Sequence, residues 1–243
     1  GVEVRTDAPV SELIVEAGIV RGVVTTKDGR PWRVGASLGV LVNAGGFARN
    51  QAMRERYMPG TSARWSLAAP GDTGEMIEEM MRHGAAVAQM DERVGNQLTI
   101  PPGAEDSEIK PTAQAMTAAP HCILVDQSGV RYLNEGGSYM AYAKAMLERD
   151  KTVPAVPSWA VFDSQYMAKY MLAGTMPGSR KPRHWYDGQY LHEAETLAAL
   201  AARLQMEAAV LIATIERFNG LVAKNHDDDF LRGDRAYDRW LGD

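Results

Sequence analysis

Tyr139 is a side chain whose type could do chemistry, as a phenol that binds or moves a proton. It follows Gly136-Gly137, and Ser138 before it reads as the N-cap of a helix over residues 139–147. The phenol would then sit on a first helical turn, beside a glycine pair that lets another backbone or a flat ligand come close. On pattern alone the residue reads first as packing, a half-buried ring with its hydroxyl at the surface. Asp72, in Pro70-Gly71-Asp72-Thr73-Gly74, opens a second helix that runs to His83 with Gly84 as its cap, and its position is that of an N-cap. Ala44-Gly45-Gly46 ends an apolar run as a glycine turn. The single cysteine, Cys122, lies in an apolar stretch and reads as a buried structural thiol rather than a nucleophile. His83, His121, His184, His192 and His226 are scattered without metal-ligand spacing, and no G-x-S-x-G elbow occurs. The phosphate-cradling G-x-G-x-x-G is also absent from these 243 residues.

The elements that must position these residues follow from periodicity and turn signals. Residues 10–15 and 19–26 alternate around Glu16-Ala17-Gly18 and predict a hairpin; Lys27-Asp28-Gly29-Arg30 turns the chain into a third strand through Trp32 and Val34. Val2 and Val4 predict a strand at the start. Residues 39–47, a continuous apolar run into the glycines, predict a strand buried on both faces, as in a parallel sheet, and one left exposed if its neighbours are missing. A short helix over 50–57 ends at Pro59-Gly60. Residues 121–125 and Val130-Arg131-Tyr132-Leu133 flank Asp126-Gln127-Ser128-Gly129 and predict a second hairpin. Residues 103–119 predict a loop, and 157–163 predict a strand followed by a helix through Tyr166 and Tyr170. Leu197, Leu200 and Leu204 mark one helix over 196–204; Val210, Leu211, Ile215 and Phe218 mark another over 207–221. Asp227-Asp228-Asp229 reads as a solvated loop.

Composition narrows the function. A hydrophobic content of 45% and a charged content of 23% are those of an ordinary globular chain. The net charge of -5 gives no footprint for nucleic acid, and no basic cluster marks a membrane surface. One cysteine fits a reducing compartment, hence the cytoplasm. The chain begins inside a strand without a methionine and ends without a closing element, as a piece of a longer protein would.

Across this order of elements the chain resembles the flavin-dependent 3-ketosteroid dehydrogenases, within the fumarate reductase-like flavoprotein superfamily. The run from Gly129 to Tyr139 matches G-x-R-[FY]-x-N-E-x-x-x-Y, and Ala44 to Asn50 matches [AT]-G-G-F-x-x-N. Gly71, Asp72 and Met76 fit G-D-G-x-x-M-A apart from Thr73. Residues 157–170 fit P-[SA]-W-x-[VI]-F-D-x-x-Y-x-x-[KR]-Y. Thr196 to Asp238 fits T-L-x-x-L-A…T-[VI]-x-R-[FY]-N…D-x-x-F-x-R-G-x-x-x-Y-D, the most specific match by length and order.

The resemblance implies an α/β plus α+β fold, with residues 1–58 as the rear part of a Rossmann-like FAD-binding domain. Residues 59–235 would be a substrate-capping domain, and 236–243 the start of the return to the first. It implies FAD as cofactor, held in the complete protein with a glycine loop this chain lacks, and met here by Val10, Ala44, Gly45, Gly46 and Asp72. Tyr139 takes the place of the catalytic tyrosine, where fumarate reductases carry an arginine, and a tyrosine suits a neutral ketone. The implied reaction introduces a double bond next to the carbonyl of a 3-oxo-steroid or similar ketone. Residues 96–101 lack the histidine of the fumarate reductases' Q-x-H-P-T and the tryptophan pair frequent in the steroid enzymes. Reduction of another activated alkene, or a fold retained without catalysis, are the other readings.

Overall fold

The computed structural model describes residues 1–107, 110–111 and 113–241. They form a mixed α/β chain in two compact units, Gly1–Glu92 and Arg93–Asp243.

The first unit is built on a meander. Strands β1 (Val10–Glu16), β2 (Ile19–Lys27) and β3 (Arg30–Gly35) pair antiparallel in the order β1-β2-β3. Both turns fall where the Ala17-Gly18 and Asp28-Gly29 pairs take positive φ. Helix α1 (Gln51–Tyr57) is capped by Asn50, whose side chain accepts from Met53 N. Helix α2 (Glu75–Arg82) packs on β1, where buried Glu79 accepts the Leu13 N–H at 2.7 Å. The N-terminal strand through Val2 and Val4 does not form, and both valines are exposed.

Residues 39–46 correct the sequence expectation more sharply. They form no strand; Leu38 is 103% and Leu41 94% exposed. The run is apolar enough for a buried strand, but a strand also needs a ladder partner for its backbone. Both sheets among the described residues are antiparallel, and neither takes it in.

The second unit centres on β4 (Cys122–Val125), buried at every position. Its partner is β5 (Trp159–Phe162), antiparallel, with Cys122 opposite Phe162 and Val125 opposite Trp159. The expected hairpin with residues 130–133 shrinks to a tight turn, Asp126 N to Val130 O, and one bridge between Val125 and Arg131. Helix α3 (Gln114–Thr117) forms inside the stretch 103–119 expected as a loop, and α4 (Tyr139–Asp150) follows the turn. Residues 108, 109 and 112 of that loop, like 242 and 243, lie outside the described residues. Beyond β5 come α5 (Ser164–Lys169), α6 (Arg183–Asp187), α7 (Leu197–Arg203) and α8 (Ala208–Ala223).

Alternation along β4 sorts the core. Ile123 and Val125 pack with Ala201, Met206 and Leu211 of the α7–α8 region. Leu124 packs with Leu133 and Tyr142 of α4, and Cys122 with Tyr166, Leu172 and Trp185. Apolar cover on both faces explains why this strand reads as an unbroken hydrophobic run.

Candidate functional site

In the first unit, the structure joins three of the predicted cofactor residues. Asp72 accepts from Gly46 N at 2.5 Å with one carboxylate oxygen and from Ala48 N at 3.3 Å with the other. Its backbone carbonyl takes Arg49 N at 2.9 Å, and Thr73 O takes the Asn50 side-chain amide at 2.9 Å. Asp72 is therefore not the cap of α2; Gly74, at φ 82°, holds that position without a side-chain bond. The carboxylate instead fixes the glycine turn. Gly45 sits at φ 79°, and a Cβ there would stand 2.5 Å from Asp72 Oδ1, so only glycine fits. Ala44 and Gly45 are exposed and present almost bare backbone, a surface on which a flat group can lie close. These residues fit the approach of a flavin. Val10 is placed apart from this turn, opposite Thr25 at the start of β1, with its side chain partly exposed.

In the second unit, the turn before Tyr139 is pinned on several sides. Asn134 accepts Gly136 N at 2.9 Å and donates to Asp238 Oδ2 at 3.1 Å. Gly136 lies so close to Asp238 that a Cβ would come within 2.7 Å of its carbonyl oxygen. Between them, Glu135 is fully buried and accepts from Leu124 N (3.0 Å), Arg131 Nε and Nη2 (both 2.8 Å) and Arg232 Nη1 (3.2 Å). Helix α4 then starts at Tyr139 as expected, but Ser138 makes no side-chain capping bond. The Gln97 amide donates to the Tyr139 carbonyl at 3.1 Å.

Tyr139 and Tyr132 are half-buried, whereas Tyr142 is committed to the core. Tyr142 is buried and donates to Thr117 Oγ1 at 3.1 Å; burial pushes its phenol well up. Burial likewise raises Tyr132, against a hydrogen bond to Ser158. Tyr142 is thus closed off and the Tyr132 hydroxyl, on a partly buried ring, is engaged by Ser158. Tyr166 and Tyr170 stack at 5.4 Å as packing, the role their spacing predicts. Cys122 is buried in the core, and burial raises its thiol far above the reactive range.

Behind this turn lies an ionic cluster that sequence reading missed. Arg131 also donates to Asp227 Oδ2 at 2.7 Å, and its guanidinium lies between the rings of Phe218 and Phe230 at 4.9 and 5.0 Å. Asp227 is buried, not the solvated loop residue expected, and accepts the N–H groups of Asp229, Phe230 and Arg232. Burial opposes its charge, but the hydrogen bonds from Arg131 and from these amides hold its carboxyl below the usual range. Arg232 adds bonds to the carbonyls of Ala118, Ala119 and Cys122. A pair of charges four residues apart beside a strand, Arg131 and Glu135, was the available signal. Among the described residues no group of three or more His, Cys, Asp or Glu could hold a metal ion, and no helix is long and apolar enough to cross a membrane.

Known proteins bear on both halves. A 3-oxosteroid 1-dehydrogenase of Mycobacterium tuberculosis is 33% identical over 255 residues, covering 100% of this chain and 44% of that protein. A 4-oxocyclohex-2-ene-1-carboxylate 5-dehydrogenase of Sinomonas cyclohexanicum is 30% identical over 249 residues, covering 100% of the chain and 42% of that protein. The crystal structure of a 3-ketosteroid delta1-dehydrogenase from Sterolibacterium denitrificans, in complex with 1,4-androstadiene-3,17-dione, superposes with a TM-score of 0.85. It is 32% identical, over 97% of this chain and 43% of that one. The chain thus spans less than half the length of the relatives it matches. Residues 1–242 match the family described as FAD binding domain, and the chain belongs to that family.

Proposed function

We propose that the protein carrying this chain is an FAD-dependent dehydrogenase that introduces a double bond next to the carbonyl of a 3-oxo-steroid or similar ketone. The observation that carries the proposal is the pinned 134–137 turn, which offers a half-buried Tyr139, while Tyr142 is buried and the Tyr132 hydroxyl is taken up by Ser158. The dehydrogenases of ketones among the relatives favour the same substrate class.

In this reading Tyr139 Oη takes the proton from the carbon adjacent to the carbonyl, and the neighbouring carbon gives up a hydride, leaving the new double bond. When bound, FAD supplies the acceptor for that hydride. A free phenol has a pKa of ~10, so proton abstraction near neutral pH needs a lowered pKa or a relay through another hydroxyl. The Asp72-braced turn keeps Ala44 to Gly46 open to the cofactor, with Val10 as a further apolar contact. Residues 1–58 are the rear of the FAD-binding domain, 59–235 the substrate cap, and 236–243 the start of the return. A single cysteine, buried and unreactive, fits a cytoplasmic enzyme.

Tyr139→Phe in the complete, FAD-loaded protein tests the reading. The rate should fall by roughly 10²–10⁴, the usual share of general acid–base catalysis. FAD content and melting temperature should hold, because the ring remains and at most one hydrogen bond of about 1 kcal/mol is lost. Steady-state dehydrogenation of a 3-oxo-steroid panel, beside a thermal melt, gives both readouts. Turnover within about threefold of the parent would remove Tyr139 from the mechanism.

A further inference from the structure

Gln97 is 6% exposed and spends its amide on a single bond, Nε2 to the Tyr139 carbonyl at 3.1 Å. Among the described residues its Oε1 has no hydrogen-bond partner. Its own position is fixed independently. Its backbone carbonyl accepts Ala113 N at 2.7 Å, and Thr99 N donates to Pro111 O at 3.0 Å. Two residues earlier, Gly95 lies against α4, where a Cβ would stand 3.0 Å from that of Ala143. Residues 95–99 thus run along the first turns of α4, with the Gln97 amide aimed at the residue that opens the helix.

A buried amide with one half unpaired is a poor device for stability, since an apolar side chain of the same shape would avoid the desolvated acceptor. Such groups persist where they serve a site. Ser138 leaves the start of α4 without a side-chain cap, so the Gln97 bond is the side-chain restraint on the carbonyl of Tyr139 itself.

We propose that Gln97 is a positioning residue for Tyr139, holding the first turn of α4 so that the phenol hydroxyl keeps its place against the substrate. The proposal rests on the reading of Tyr139 as proton acceptor. Small displacements of a reacting group are enough to matter, for about 1 Å of misplacement lowers rates by roughly 10²-fold.

The test uses the complete, FAD-loaded protein. Gln97→Met keeps length and volume and removes the donor. It should lower kcat by roughly 10–100-fold, leave KM for a 3-oxo-steroid within about twofold, and leave the melting temperature unchanged or raised. Placed on top of Tyr139→Phe, it should lower the rate no further, because the two act as one unit. Gln97→Glu keeps the shape and offers a donor only when protonated, so its turnover should recover towards the parent as the pH is lowered. A Gln97→Met protein that turns over within about threefold of the parent, or melts lower with unchanged kcat, shows a merely structural amide and overturns the proposal. So does an additive loss in the Tyr139→Phe background. If Tyr139→Phe alone leaves turnover intact, the reading of Tyr139 fails first, and that single variant shows it.

Discussion

At the residue scale, Glu135 ties the chain together more than any catalytic candidate does. It is fully buried and takes hydrogen bonds from two arginines and a strand amide. An ion pair of this kind adds little net stability over an apolar substitute, because its desolvation offsets its attraction. Losing one partner is different, since the others are left charged in the interior. Glu135→Ala should therefore destabilise the protein by about 3–5 kcal/mol, far beyond the ~1 kcal/mol of a typical substitution. Urea unfolding of variant and parent measures it; a loss under about 1 kcal/mol would mean that water reaches the cluster. The motif that places Glu135 four residues before Tyr139 thus carries a charge lock beside the phenol proposed to act as base.

At the scale of elements, the site depends on a backbone-to-backbone contact. Gly136 is pressed on the Asp238 carbonyl, and the main chain there cannot rotate away as a flexible side chain could. Gly136→Ala should lower stability by about 1–3 kcal/mol, as overpacking does, and turnover with it. Gly137→Ala, whose Cβ would meet its nearest neighbour, the Asn134 carbonyl, at 3.3 Å, should be milder in both. Thermal melts and rates for the pair compare the two positions directly, and equal effects would refute the close contact. The helices near 50–57, 164–170 and 196–204 were legible, but the caps expected at Ser138 and Asp72 make no capping bond, whereas Asn50, Asp163 and Thr196 accept amide hydrogens of the helices they precede. The meander was legible because its turn pairs are local signals. The partner of β4 was not. Residues 130–133 stand nearest in sequence, yet Trp159–Phe162 pairs instead, because Arg131 and Glu135 must turn inward to meet each other. Asp72 and Asp227 were misread for a related reason. A carboxylate beside glycines or aspartates reads as a cap or a solvated loop, while the amides it actually binds lie elsewhere in the chain or depend on its burial.

At the scale of the whole molecule, the buried carboxylates set the response to acid. Asp227 is held below its usual range against the effect of burial, by Arg131 and nearby amides. Asp126 is lowered likewise, against burial, by Ser128, Val130 and Arg149. With folded values below the unfolded ~3.9, each contributes stability that is complete above that pH and is lost as the pH falls through the folded value. Stability should thus be flat from neutral down to about pH 5 and fall steeply below about pH 4. Asp227→Asn should flatten the acid limb, and denaturant melts across pH 3–7 would record it; an unchanged limb would place the acid sensitivity elsewhere. The bonds of Arg232 also have a consequence in time. Its partner Glu135 lies 97 residues earlier, and the Ala118 carbonyl 114 residues earlier. A ribosome adding about 5–20 residues per second needs on the order of 5–20 s to make that stretch. Throughout that interval the nascent chain carries a strand of four apolar residues, with a carboxylate that lacks its second cation. The region around Tyr139 therefore cannot settle fully until residue 232 has been made.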